Sequence, residues 1–114
     1  MELDETRRLE QTAELLKAMG HPMRLAMLEK LRAEPWCVCD LAENLGLNKS
    51  IASKHLSLLH DVGLLSVEKR GTQVIYTLRA PCVVEMAQCG YEAVAEFHRP
   101  DIGERELSTL SRNS

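Results

Sequence analysis

The chain is predicted to be mainly α-helical with one β-hairpin, on the strength of three stretches. The first is Asn48 to His60, where Ile51, Ala52, Leu56, Leu58 and Leu59 recur at helical spacing. Lys49, Ser50, Ser53, Lys54 and His55 lie towards the other side, with no acid among them. The second is Asp40 to Leu47, a shorter amphipathic helix closed by Gly46. The third is a pair of β-rich runs, Leu64 to Lys69 and Val74 to Leu78, joined by Arg70-Gly71-Thr72-Gln73. Helix, glycine turn and helix form a helix-turn-helix, and a hairpin directly after it is a wing. The expected fold is a winged helix-turn-helix. An ordinary helical hairpin with a solvated face is the competing reading of the first two stretches alone.

In chain order, residues 1–8 are charged and are expected to form a frayed arm. From Leu9, the apolar residues Leu9, Ala13, Leu15, Leu16, Ala18 and Met19 predict a helix ending at Gly20. Pro22 suits the first turn of a second helix, where its missing N–H costs nothing. That helix runs to about Arg32 with Leu25, Met27, Leu28 and Leu31 inward, and His21 marks the junction. Trp36-Cys37-Val38-Cys39 leads into the helix-turn-helix, with Trp36 read as a core plug or a neighbour of the thiols. Asn48 is placed to cap the presenting helix. A last helix is expected from Pro81 to about Phe97, weakened at Gly90 by about 1 kcal/mol relative to alanine. Residues 9–97 then form one domain and 98–114 a loose tail. Apolar residues on the first and last helices exceed what so small a core needs, which predicts a homodimer.

Composition narrows the function. The chain has 114 residues, 45% of them hydrophobic and only 4% aromatic, enough for one domain with an aliphatic core. No apolar run approaches the roughly 20 residues that span a bilayer, and no secretory leader opens the sequence. A cytoplasmic protein with no membrane partner is expected. In a reducing compartment, four cysteines read as metal ligands or redox thiols better than as a disulfide framework. The net charge of −3, taken as a sum, argues against nucleic acid. Its distribution does not: residues 48–73 hold four cations against two acids, while residues 1–19 hold five acids against three cations. A helix with a buried apolar side and a basic, donor-rich side fits a DNA major groove. Lys49, Ser50, Ser53, Lys54 and His55 are therefore candidate readers of bases and phosphates. Lys69 and Arg70, at the wing tip, are candidates for flanking backbone. The expected partner is a palindromic double-stranded operator bound by the dimer.

Several segments together resemble the ArsR/SmtB family: His21-Pro-Met-Arg-Leu-Ala-Met-Leu28, Cys37-Val-Cys-Asp-Leu-Ala42, Ser53-Lys-His-Leu-Ser-Leu-Leu59, Gly63-Leu-Leu65 and the Gly71 to Leu78 hairpin. The resemblance covers roughly residues 9–97. It implies a dimeric winged-helix repressor that leaves DNA on binding a metal or metalloid ion, and no enzyme. The Cys37-Val-Cys-Asp-Leu run resembles the arsenic- and cadmium/lead-responsive branches. The chain also departs from them. Ala42 stands where arsenic sensors often carry a third cysteine, and residues 1–20 lack the cysteines of cadmium/lead sensors. Ala80 and Cys82 stand where zinc sensors carry an Asp-x-His pair.

Cys37, Cys39, Cys82 and Cys89 are the candidate ligands. Cys37 and Cys39 converge on one ion in extended or turn geometry but diverge by about 200° in regular helix. Cys82 and Cys89 share a helix face yet stand about 10.5 Å apart along its axis, too far for one ion or a disulfide. Buried packing is the plain alternative for any of the four. Three thiolates suit As(III) and four suit Cd(II), Pb(II) or Zn(II), and arsenite is the first choice. Sensing of persulfide or oxidant by the same thiols is the second reading. A dithiol oxidoreductase built on Cys37 and Cys39 is a distant third.

Overall fold

In the computed structural model, residues 2–98 are described, in two compact units that meet at Pro81 and Cys82. The first unit holds α1 (Leu3–Met19), α2 (Pro22–Ala33), β1 (Trp36–Cys37), α3 (Val38–Leu45), α4 (Lys49–Asp61), β2 (Leu65–Arg70) and β3 (Gln73–Leu78). The second holds α5 (Cys82–His98). The architecture is a winged helix-turn-helix, as the sequence predicts.

The core of the first unit is aliphatic. Met27, Leu28 and Leu31 of α2, Leu41 and Ala42 of α3, and Ala52, Leu56 and Leu59 of α4 are buried, together with Leu64 and Leu65 entering the wing. Complete burial of one leucine contributes about 1.5–3 kcal/mol, so this cluster holds the three helices around the turn. The turn itself is set by backbone. Gly46 takes φ 70°, the left-handed region that disfavours any residue with a Cβ. Leu47 N–H then donates to Ala42 C=O at 2.9 Å and Gly46 N–H to Glu43 C=O at 3.2 Å, a Schellman closure of α3. Two residues later Asn48 starts α4, its Oδ1 accepting Ile51 N–H at 2.8 Å. α2 starts as expected with Pro22 in its first turn, and the His21 Nδ1 accepts Met23 N–H at 3.0 Å.

Two boundaries differ from expectation. The expected arm of residues 1–8 is helical from Leu3. The charges that suggested fraying cap the helix instead: Glu2 N–H donates to Glu5 Oε1 at 3.4 Å, and Asp4 and Glu5 sit at the positive end of the helix dipole. Trp36–Cys37, expected as a plain lead-in, forms β1 and pairs antiparallel with β3 in the register Trp36↔Tyr76 and Cys37↔Ile75. The sheet order is β1-β3-β2, with β2 and β3 joined through a two-residue turn at Gly71-Thr72 in which Gly71 has φ 61°.

α5 runs unbroken through Gly90, with Val83 and Val84 buried. Met86, Tyr91, Val94 and Phe97 are exposed on it, Phe97 by 83%. Leu3, Leu9 and Leu16 of α1 are exposed too. Apolar surface is thus left over on the first and last helices of a single chain. Among the described residues no helix is long and apolar enough to cross a membrane. The tail expected over 98–114 lies outside the described residues from position 99 onward, His98 being the last residue of α5.

Candidate nucleic-acid interface and thiol pair

α4 presents Lys49, Ser50 and Lys54 to solvent from its first two turns. Ser53 is half-buried. His55 is half-buried and turned towards α2, where its Nδ1 accepts the Arg24 Nε–H at 3.2 Å and its ring lies 4.7 Å from that of His21. Partial burial, His21 and Arg24 all hold its pKa below the ordinary 6.5, so the neutral ring is favoured. His55 thus links α4 to α2 through Nδ1. The sequence reading missed Arg24. Its Nη1 also donates to Ala18 C=O at 2.7 Å, tying the end of α1 to α2 and α4. The one available signal was a cation inside the apolar run of α2.

The apolar set expected for α4 also needs correction. Ala52, Leu56 and Leu59 are buried, but Ile51 and Leu58 are 44% and 47% exposed. Successive residues turn about 100°, so the five span an arc of about 160°, and Ile51 and Leu58, seven apart, lie together at its outer edge.

On the wing, Lys69 and Arg70 are exposed at the end of β2, as expected. Arg70 is engaged by Glu68 of the same strand, with Nη2 and Nε each 3.1 Å from a carboxylate oxygen. That contact holds the Glu68 carboxyl below its ordinary range. The tip therefore carries two cations and one acid, a weaker positive patch than the two cations alone suggest.

The thiols differ in setting. Cys37 is the N-cap of α3, in extended geometry (φ −81°, ψ 154°), and Cys39 is the second helical residue. Cys37 is buried, with Gln73 Nε2 3.9 Å from its Sγ, and Cys39 is exposed. Both line a small cavity that Lys49 of α4 and Thr72 and Gln73 of the wing also border. The pair thus straddles a helix boundary, escaping the divergence of two positions within regular helix. Cys82 and Cys89 are both exposed on α5, at its first residue and two turns on. Among the described residues no three His, Cys, Asp or Glu side chains cluster closely enough to hold a metal ion. Trp36 donates its Nε1–H to Lys30 C=O at 3.2 Å, closing the end of α2 next to Cys37.

Residues 21–67 match the family described as bacterial regulatory protein, arsR family. The Escherichia coli HTH-type transcriptional regulator YgaV is 36% identical over 75 residues, covering 65% of this chain and 76% of YgaV. The chain belongs to the ArsR family. The HTH-type transcriptional regulator NmtR of Mycobacterium tuberculosis is 38% identical over 68 residues, covering 60% of this chain but only 57% of NmtR. Among solved structures, the antimony-specific transcriptional repressor AntR superposes with a TM-score of 0.68 at 28% identity, covering 85% of this chain and 88% of AntR. The family match spans α2, the helix-turn-helix and the start of β2, so it takes in four of the five segments that carried the resemblance and ends before the Gly71 to Leu78 hairpin.

Proposed function

We propose that this ArsR-family chain is a homodimeric transcriptional repressor, released from a palindromic operator by a thiophilic metal(loid), with arsenite the first choice. The observation that carries this reading is the cavity at the α3 boundary. Cys37 and Cys39 line it beside Lys49, the first residue of the presenting helix, and beside Thr72 of the wing turn and Gln73 at the start of β3. Two soft donors therefore sit against both elements that would touch DNA. A bound ion supplies strong bonds to soft thiolate donors. Cys37 and Cys39 would hold it, with Cys82 or Cys89 of either subunit as the further donor. Gathering Cys39 towards the buried Cys37 pulls on the first turn of α3 next to Lys49. Release then follows from linkage: the ion must favour the free dimer over the DNA-bound one, with a coupling of about 1–3 kcal/mol.

Lys49, Ser50, Ser53 and Lys54 would contact bases and phosphates, and Lys69 with Arg70 the flanking backbone. The exposed apolar residues of α1 and α5 suit burial against a second copy, which would set two presenting helices about one DNA turn apart. The antimony specificity of AntR supports a metalloid over a harder ion. The exposure of Cys39, Cys82 and Cys89 favours a second reading, in which these thiols sense persulfide or oxidant. One titration separates the two. Arsenite added to the reduced protein on its promoter DNA should lower fluorescence anisotropy reversibly, with intact thiols by mass spectrometry. A sulfur bridge or disulfide as the releasing species would replace the metalloid reading.

A further inference from the structure

Ile51 is the third residue of α4, and its backbone N–H is fixed by Asn48. Its side chain is 44% exposed while the next residue, Ala52, is fully buried. The 100° step between them brings Ile51 to the edge of the face that carries Ser50 and Lys54. A branched aliphatic group is thus left half-exposed to water on the helix turn that carries Ser50 and Lys54. No acid lies between Asn48 and His60, so the surroundings suit a polyanion and not a second apolar protein surface. In a helix-turn-helix, the N-terminal residues of the second helix reach the base edges. The only apolar group on those edges in the major groove is the thymine C5-methyl.

We propose that Ile51 is a specificity-determining residue that packs on a thymine C5-methyl in the major groove of the operator. This rests on the DNA-binding reading above. The contact selects thymine over cytosine at one place, because cytosine lacks the methyl and offers an amino donor instead. Leu58, the other large exposed apolar residue of α4, lies about 10.5 Å further along the axis. It shares Ile51's face of α4 but borders a groove with Glu14 and Lys17 of α1, two turns beyond the basic start of the helix.

Deoxyuridine in place of thymidine removes only this methyl, so the wild-type protein is itself the probe. The protein first enriches a duplex from a randomised pool. That duplex is then made with uracil at each thymine position in turn, and binding is read at fixed salt. At one thymine in each half-site, uracil should weaken binding about fourfold, the factor for losing one buried methyl-sized group. Ile51→Ala should bind the thymine and uracil duplexes alike, at about the wild-type uracil level, with circular dichroism showing the same helix content. Equal wild-type affinity at every uracil position overturns the proposal, as does a thymine preference that persists in Ile51→Ala. Failure to enrich any duplex overturns the DNA-binding reading itself, a result distinct from indifference to the methyl.

Discussion

Cys37 and Cys39, and Cys82 and Cys89, are two pairs of one residue type in unlike backbone. Cys37 is extended and buried, Cys39 is helical and exposed, and both border one cavity. Cys82 and Cys89 are helical and exposed alike, about 10.5 Å apart along α5. Spacing alone does not separate a pair that could share one ion from a pair that could not. The helix boundary between residues 37 and 38 frees Cys37 from the helical repeat while Cys39 obeys it. Inside α5 both thiols obey it, so each needs donors from elsewhere.

The largest expected effect tests this contrast directly. Cys37→Ser and Cys39→Ser should each give a dimer that binds operator but is not released by arsenite, because serine oxygen is a hard, poorly ionised donor. Cys82→Ser and Cys89→Ser should differ from one another, and only the one that supplies the further ligand should reproduce the uninducible behaviour. Normal release from both Cys37→Ser and Cys39→Ser, read by anisotropy, would transfer sensing to α5.

A smaller effect separates contact from sensing within the first unit. Lys54→Ala should weaken operator binding roughly eightfold at 0.1 M salt and make the salt slope shallower by about 1, as expected for one lost phosphate contact. Arsenite stoichiometry should stay unchanged, since Lys54 does not border the thiol cavity. Unchanged affinity and slope would remove Lys54 from the interface.

The smallest effect concerns a part of the first unit remote from the thiols. His55 is held below its ordinary 6.5 when folded, so the unfolded chain takes up that proton first as pH falls. Stability should be flat above pH 6.5 on this account, fall below it, and stop falling once the lowered folded value is passed. Thermal melts of wild type and His55→Gln should diverge only below that pH, and Cys37→Ser should follow wild type. Parallel melts of wild type and His55→Gln down to pH 5 would show that burial beside His21 and Arg24 does not lower the His55 pKa.

Most of the fold was legible because its signals are local. Asn48, Gly46 and the Gly71 turn each mark a boundary within a few residues of the structure they cause. What stayed hidden depends on partners far along the chain. Two residues of β1 are too few to show a period, and their partners lie in β3. The Arg24–His55 contact gives no local sign, because its partners are 31 positions apart. The start of α1 was misjudged because capping acids and frayed acids have the same composition. For the candidate site, the sequence named the thiols and the basic face. The cavity that joins them, with Lys49 and Gln73, required the fold.

The pairing of Trp36 with Tyr76 joins positions 40 residues apart, across the whole helix-turn-helix. Closing so long a loop is entropically unfavourable and slow unless the intervening helices have already drawn its ends together. The β2–β3 hairpin needs no such help, since its strands are consecutive. Once those helices are packed, the amides that bridge β1 and β3 should exchange more slowly than the wing tip, which hydrogen exchange would read. Those nearest Gly71 exchange through local fraying. Cys37 belongs to that pairing, so the backbone on one side of the thiol pair should stay anchored while the wing tip frays.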